Sequence, residues 1–114
     1  MPFIDIKTNV AVAAEKEEVI KTAMGQAITA IPGKSESWLM VGIEPEFKLY
    51  FKGTADPAAM VQVSIYGSAD SSAKNKLTGK ISEILGGELG ISPSRIYVSY
   101  AETADWGWNG ANFS

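Results

Sequence analysis

The sequence predicts an α+β domain in which a strand–helix–strand unit occurs twice, giving a four-stranded mixed sheet with two helices on one face. Two apolar stripes at helical spacing, at residues 15–31 and 77–89, support this prediction, because strand-like runs flank each of them. The order also repeats, since the strand starts at residues 3 and 59 lie 56 positions apart. The 114 residues fit a single domain, residues 1–114.

The first unit begins at residues 3–7, where apolar and polar side chains alternate as in a half-buried strand. The helical stripe of residues 15–31 follows, and acidic residues in its first turn suit the helix dipole. Pro32 and Gly33 are expected to end this helix. Residues 38–43 are a continuous apolar run, which is typical of a strand buried on both faces.

The second unit repeats this order. Residues 59–66 have the composition of a strand, and residues 70–72 offer an N-cap for the helix that follows. The apolar stripe at residues 77–89 predicts that helix, and Gly90 is suited to end it. Residues 95–100 then predict the fourth strand.

The sheet is expected to have an open face. Two helices cover only one face of four strands, whereas the strands at residues 38–43 and 95–100 carry apolar residues on both faces. The uncovered face therefore needs a partner, and a second copy of the chain is the simplest one. The alternative is that a hairpin at residues 44–53 and the C-terminal tail cover this face.

The composition excludes several classes of protein. The chain has no cysteine and no histidine, which removes disulfides, thiolate metal sites, Ser–His dyads and most zinc and haem sites. The net charge is −3 and Arg95 is the single arginine, so a nucleic-acid partner is not expected.

No signal peptide or membrane-spanning run is evident. We expect a cytoplasmic protein, and secretion by an unconventional route would leave no mark in the sequence.

Short motifs along the whole chain occur in a distinctive order. They are Met1-Pro2, residues 8–10, Gly33-Lys34, residues 51–57, Ser64-Ile65, residues 91–97, residues 107–110 and Phe113. In order and spacing the chain resembles the macrophage migration inhibitory factor family of the tautomerase superfamily, which includes D-dopachrome tautomerase. The resemblance implies the family's fold and a homotrimer with active sites at subunit interfaces. It also implies tautomerisation of enolisable α-keto acids such as phenylpyruvate, or of D-dopachrome, without a cofactor.

Pro2 is the candidate catalytic residue. Removal of Met1 would leave a secondary amine, and an α-amino group has a reference pKa of about 8. Burial and a nearby cation would lower that pKa, which makes the amine a suitable general base in a chain without histidine. The alternative is that Pro2 merely begins a strand, where it removes no ladder hydrogen bond.

The resemblance implies roles for other residues. Lys34 would bind a substrate carboxylate or enolate oxygen, although a lysine after a helix also suits the helix C-terminus. Ser64 and Ile65 match the strand segment whose backbone amide contacts substrate, while Ile65 also fits an ordinary core position. Tyr97 matches the tyrosine that a neighbouring subunit donates, and its hydroxyl would bond the substrate.

Aromatic residues near these positions predict a wall that favours aryl substrates and excludes water. This aromatic wall consists of Trp38, Trp106, Trp108 and Phe113, with Phe3 beside Pro2. The alternative is that these side chains belong to an ordinary core.

The chain departs from the family pattern at three points. Ser99 stands where many members carry an asparagine that contacts substrate, so this hydrogen bond would be lost or mediated by water. Trp38 and Trp106 stand where mammalian members usually have smaller residues, which predicts a narrower pocket mouth. The Cys-x-x-Cys motif of some members is absent.

Two alternative functions remain open at this point. Some family members are extracellular signals that act through receptors, so a cytokine-like ligand with a vestigial pocket is the first alternative. Decarboxylation or dehalogenation by the same N-terminal proline is the second. Those reactions usually rely on added arginine or glutamate groups, and the single Arg95 disfavours them.

Overall fold

The computed structural model of the protein describes residues 1–113. Both predicted strand–helix–strand units are present in this part of the chain. The elements are β1 (Pro2–Thr8), α1 (Ala14–Ala27), β2 (Met40–Glu44), β3 (Ala59–Tyr66), α2 (Ser71–Leu89), β4 (Ile96–Thr103), β5 (Gly107–Trp108) and β6 (Ala111–Asn112). Short 3-10 turns lie at Ile28–Ala30, Glu36–Trp38 and Pro93–Arg95.

The four long strands form one mixed sheet in the order β2-β1-β3-β4. Strand β1 is parallel to β2 and antiparallel to β3, and β3 is parallel to β4. This arrangement confirms the predicted α+β architecture. One helix lies in sequence between the two strands of each parallel pair, because parallel neighbours need a long crossover connection.

The hydrophobic core lies between the two helices and one face of the sheet. Alternate residues of β1 and β3 point into it, because successive side chains of a strand face opposite sides. The fully buried side chains include Ile4, Ile6, Val61, Val63, Ile65, Ile20, Met24, Ile28, Leu77, Ile81 and Leu85. Neither helix in the described part of the chain has the length and apolar character needed to span a membrane.

Helix α2 begins where the sequence predicts. The Asp70 side chain accepts a hydrogen bond from the backbone N–H of Ala73 at 2.7 Å, which is the geometry of an N-cap. Helix α1 is shorter than the predicted residues 15–31, because its last turn tightens to a 3-10 turn at Ile28–Ala30. Val19, expected on the apolar stripe of α1, is 46% exposed and therefore not part of the core.

Strand β2 differs from its prediction. It begins at Met40, whereas Trp38 belongs to the preceding 3-10 turn. None of its residues is buried, and the Met40 side chain is 69% exposed. The physical reason is that β2 lies at the edge of the sheet and pairs with β1 alone. Burial on both faces is therefore wrong for the single chain.

The segment after β2 also differs from its prediction. The hairpin expected at residues 44–53 does not form, because β2 ends at Glu44 and the tight turn lies at Phe51–Thr54. The helix-free face of the sheet stays open at Gln62 and Ser99, whose side chains are exposed. Strand β4 runs to Thr103, three residues beyond the predicted residue 100.

Candidate active site

The N-terminus is fixed at one end of the sheet. Pro2 is buried and lies opposite Ile65 in the antiparallel pair of β1 and β3. The carbonyl oxygen of Met1 accepts a hydrogen bond from the N–H of Tyr66 at 3.1 Å. Pro2 is the first residue of β1, where its missing N–H disturbs no ladder bond. With Met1 present, the nitrogen of Pro2 is a tertiary amide, so basicity at this atom requires loss of Met1.

Lys34 reaches this end of the sheet from the turn after α1. The N–H of Lys34 donates to the carbonyl of Ile31 at 3.1 Å, and Gly33 has φ 81°. Pro32 followed by a glycine with this φ is the sequence of a type II turn, which few other residues could complete. The Lys34 Nζ atom then donates to the carbonyl oxygen of Tyr66 at 2.9 Å.

The terminal amine lies in an environment that favours its neutral form. Burial and, next in size, the positive charge of Lys34 hold the pKa of the Met1 amine below its ordinary value, and a hydrogen bond with Lys34 acts in the same direction. Burial and the Lys34 charge lower this pKa because low polarity and a like charge both disfavour an ammonium ion. The site therefore combines a chain terminus with a cation that lowers its basicity.

Tyr66 links the N-terminus to the aromatic residues. Its N–H bonds Met1 and its carbonyl bonds Lys34. Its ring packs on Phe113 with centroids 5.1 Å apart and planes tilted by 36°. The sequence predicts Tyr66 only as the last residue of a strand. An aromatic residue directly after Ser64-Ile65 was the available signal.

Three of the four residues predicted for the aromatic wall come together. Trp38 and Trp108 meet edge to face, with centroids 5.3 Å apart and planes at 87°. Trp108 and Phe113 are nearly parallel, at 12°, with centroids 6.5 Å apart. Trp38 and Trp108 are 49% and 51% exposed, so their rings present a partly open aromatic surface. Phe113 joins this surface to Tyr66.

A small hairpin carries Trp108 and Phe113. Strands β5 and β6 are joined by Asn109 and Gly110, whose φ angles are 53° and 86°. Positive φ at both central positions defines the type I′ turn that Asn-Gly favours. The N–H of Phe113 donates to the Trp106 carbonyl at 2.9 Å, which closes the base of the hairpin. The backbone of Trp106 thus supports the wall, and a role for its ring stays a prediction.

Phe3 and Ser64 lie on the helix-free face. They are opposite each other in the β1–β3 pair and alternate with the buried Pro2 and Ile65. Phe3 packs over Gly42 of β2, where an added Cβ would lie 3.4 Å from its ring. Phe3 is therefore next to Pro2 in sequence but on the other side of the sheet.

Tyr97 and Ser99 lie away from Pro2 within one chain. Tyr97 is opposite Met60, five residues along β3 from Ile65. At ~3.3 Å per residue this separation is about 17 Å. Tyr97 is 61% exposed and lines an apolar cavity of about 140 Å³ together with residues of the 49–51 segment. One chain therefore does not bring Tyr97 to Pro2, and its donation to a neighbouring subunit stays a prediction.

Comparison with known proteins identifies the family of this chain. The family model "Macrophage migration inhibitory factor (MIF)" matches residues 1–114. The chain belongs to the MIF family. Among curated members, MIF of Rattus norvegicus and MIF of Mus musculus are each 28% identical to it over 116 residues, with 100% of both chains covered.

Solved structures of MIF proteins agree in fold. MIF2 of Leishmania major superposes with a TM-score of 0.92 at 33% identity, covering 99% of this chain and 97% of the other. MIF of Toxoplasma gondii gives 0.90 at 25% identity, covering 97% and 99%. The predicted family and fold are thus confirmed. Membership of the MIF family supports a function of the tautomerase type.

Proposed function

We propose that the protein is a keto–enol tautomerase for α-keto acids of the phenylpyruvate type, with D-dopachrome as a further candidate substrate. The Pro2 amine, freed by removal of Met1, is the general base. The observation that carries this proposal is the position of Lys34, whose side chain lies at the chain terminus and bonds the carbonyl of Tyr66 at 2.9 Å. The pKa of the Met1 amine is lowered at this position. Phe113, which belongs to the partly open aromatic surface, packs on Tyr66.

The base is suited to this role by its surroundings. Pro2 is buried and fixed opposite Ile65, so a terminus at Pro2 is deeper in the fold than one at Met1. Burial and the Lys34 charge act in the same direction on an amine at this position. A secondary amine that is neutral at working pH accepts a proton efficiently.

The proposed reaction transfers one proton. The lone pair of the Pro2 nitrogen takes a proton from the carbon next to the carbonyl. The electron pair of the broken C–H bond forms the C=C bond, and the carbonyl π pair moves to oxygen. Lys34, Tyr97 or ordered water stabilises the developing negative charge. The protonated amine then gives its proton to that oxygen, which completes the enol, and the reverse steps return the keto form.

Substrate binding uses groups at the same end of the sheet. Lys34 attracts the substrate carboxylate or the enolate oxygen, and the backbone of Ser64-Ile65 lies beside Pro2. The rings of Trp38, Trp108 and Phe113 offer an aromatic surface for an aryl side chain. These features favour aryl pyruvates over short aliphatic α-keto acids.

The proposed assembly is a homotrimer with its sites between subunits. Tyr97 is exposed and about 17 Å along the sheet from the partner of Pro2. A second chain is therefore the source from which a tyrosine would reach Pro2 in the proposed mechanism. The open, helix-free face supports this assembly, because one sheet face lacks a helical cover.

Absorbance measurements of phenylpyruvate ketonisation test the proposal, after mass spectrometry has shown that Met1 is absent. Pro2→Gly should lower kcat/KM by about 10²-fold or more, because it replaces the secondary amine of the base. Pro93→Gly makes the same change at an exposed position in the turn before β4 and is the control. Equal rates for wild type and Pro2→Gly would refute the role of Pro2. A trimeric wild type without activity would instead favour a MIF-like binding protein with a vestigial pocket.

A further inference from the structure

Phe51 is in contact with the exposed residue Tyr97. The two rings lie with centroids 4.8 Å apart and planes tilted by 50°. The guanidinium carbon of Arg95 lies 5.2 Å from the centroid of the same Phe51 ring. Arg95 and Tyr97 flank Ile96, the first residue of β4, so the Phe51 ring contacts the start of this strand at two side chains.

Arg95 fixes the loop that carries Phe51. Its Nε atom donates to the carbonyl of Pro57 at 2.9 Å. Its Nη2 atom donates to the carbonyls of Asp56, at 3.0 Å, and Thr54, at 3.3 Å. Two nitrogens of one planar guanidinium donate to three backbone acceptors, a forked geometry that the single nitrogen of lysine cannot reproduce. The single arginine of the chain is therefore committed to this loop.

Asn9 holds the loop from the other side. Its Nδ2 atom donates to the carbonyls of Leu49, Ala55 and Asp56, at 3.1, 3.2 and 2.9 Å. Its Oδ1 atom accepts from the N–H of Ala58 at 2.9 Å. The loop is also closed on itself, because Phe51 and Thr54 exchange two backbone hydrogen bonds of 3.0 Å. Phe51 thus belongs to a segment that is tied down at several points.

We propose that Phe51, held by Arg95 and Asn9, is a positioning residue that sets the direction of the Tyr97 ring. The inference rests on the proposed function, in which Tyr97 completes the pocket of a neighbouring subunit. Without the Phe51 ring beside it, the Tyr97 side chain could adopt several rotamers, and only some would place its hydroxyl at the substrate. The Phe51 contact orders this side chain before substrate arrives, so the ordering is not required at each binding event.

Substitution at Phe51 tests this role in the full-length, Met1-processed protein. Phe51→Leu keeps an apolar side chain but removes the ring contact, and we expect kcat/KM for phenylpyruvate to fall by about tenfold. Phe47→Leu is the matched control, because Phe47 lies in the same segment and its ring faces Lys7 at 6.0 Å. Phe51→Tyr keeps the ring and should recover most of the rate that Phe51→Leu loses.

A comparison with Tyr97→Phe separates positioning from general stability. If Phe51 acts through Tyr97, Phe51→Leu changes kcat and KM in the same proportion as Tyr97→Phe. The double variant is then no worse than Tyr97→Phe alone. Fully additive losses, or a Phe51→Leu variant with the wild-type kcat/KM, would overturn the proposal. A merely structural role would lower the melting temperature and leave the ratio of kcat to KM as in wild type.

A spectroscopic measurement keeps this test separate from the proposed function. In protein with ¹³C-labelled tyrosine rings, Phe51→Leu should shift the Tyr97 signal, and Phe47→Leu should leave it in place. An unchanged Tyr97 signal would contradict the contact itself. An inactive wild type would refute the tautomerase proposal and with it the catalytic role of the contact. An active wild type together with a Phe51→Leu variant of unchanged kcat/KM would refute only the positioning role.

Discussion

The Nζ atom of Lys34 donates a 2.9 Å hydrogen bond to the backbone carbonyl of Tyr66, the residue whose N–H bonds Met1. One residue thus joins the Lys34 cation to the chain terminus. Because this anchor is a backbone atom, it brings no negative charge that would compete for the lysine. The cation therefore remains available both to an anionic substrate and to the terminal amine.

Lys34→Ala should change the pH dependence of the reaction as well as its rate. Burial, the Lys34 charge and a Lys34 hydrogen bond lower the pKa of the Met1 amine. We expect the Lys34 charge to act in the same direction on the Pro2 amine, so loss of Lys34 should raise the pKa of that base. The base must be neutral, and the acid limb of kcat/KM against pH should therefore move to higher pH. KM should also rise because the substrate loses a cationic partner.

Lys76→Ala, on the exposed side of α2, is the control for Lys34→Ala. It should leave the pH profile in place. An acid limb that stays at the same pH in Lys34→Ala would show that the charge does not tune the base.

The N-terminal processing state should determine activity. Protein that retains Met1 has an amide at the Pro2 nitrogen, which cannot accept a proton, so we expect it to be inactive. Treatment of such a preparation with methionine aminopeptidase should generate activity in proportion to the processed fraction measured by mass spectrometry. Full activity in unprocessed protein would exclude the Pro2 amine as the base.

The aromatic wall should set the preference between substrates. Trp108→Leu removes the ring that contacts both Trp38 and Phe113. We expect kcat/KM for phenylpyruvate to fall by about tenfold, while an aliphatic α-keto acid such as 2-oxobutanoate changes little. The measured quantity is the ratio of the two values. An equal loss for both substrates would indicate damage to the fold rather than to aryl binding.

Ser99 should be a position at which substrate affinity can be increased. The resemblance to the family implies that asparagine there contacts substrate, and Ser99 is exposed on the same sheet face as Tyr97. Ser99→Asn should lower KM for phenylpyruvate by about threefold to tenfold, the value of one added hydrogen bond. Ser72→Asn on α2 should leave KM unchanged. An unaltered KM in both variants would separate Ser99 from the pocket.

The N-cap of α2 gives a prediction about stability alone. Asp70→Ala removes the acceptor of the Ala73 N–H, which should cost about 1 kcal/mol of unfolding free energy. The melting temperature should fall by about 4 °C. Asp105→Ala, in the exposed segment before β5, is the control and should melt as wild type does. Equal melting temperatures for the two variants would show that the cap is energetically neutral.

Local signals in the sequence were sufficient for much of the fold. Strand β3 has the predicted bounds, residues 59–66, because alternation is strict there and the strand is central. Asp70 caps α2 as expected, since capping depends only on the next few residues. The apolar stripes of both helices face the core, apart from Val19. Periodicity predicts such features well when one face of an element is fully covered.

Features that depend on distant contacts were not predicted. Residues 38–43 had the composition of a buried strand, yet β2 lies at an edge, and composition does not reveal which strands are neighbours. The role of Tyr66 in linking Met1, Lys34 and Phe113 was not predicted. Two of these three contacts use backbone atoms of Tyr66, which carry no sequence signature. The Asn109-Gly110 turn is different from these features, because Asn-Gly is a local sequence signal for a hairpin.

The register of β3 has a consequence for mixtures of defective chains. Ile65 faces Pro2 at one end of this strand and Met60 faces Tyr97 at the other, so in the proposed trimer each chain serves two different pockets. Pro2→Gly chains co-assembled with Tyr97→Ala chains should then rescue one another. With equal amounts and random assembly, about one quarter of the pockets would pair an intact proline with an intact tyrosine. Intragenic complementation of this kind would be impossible for a site built from one chain.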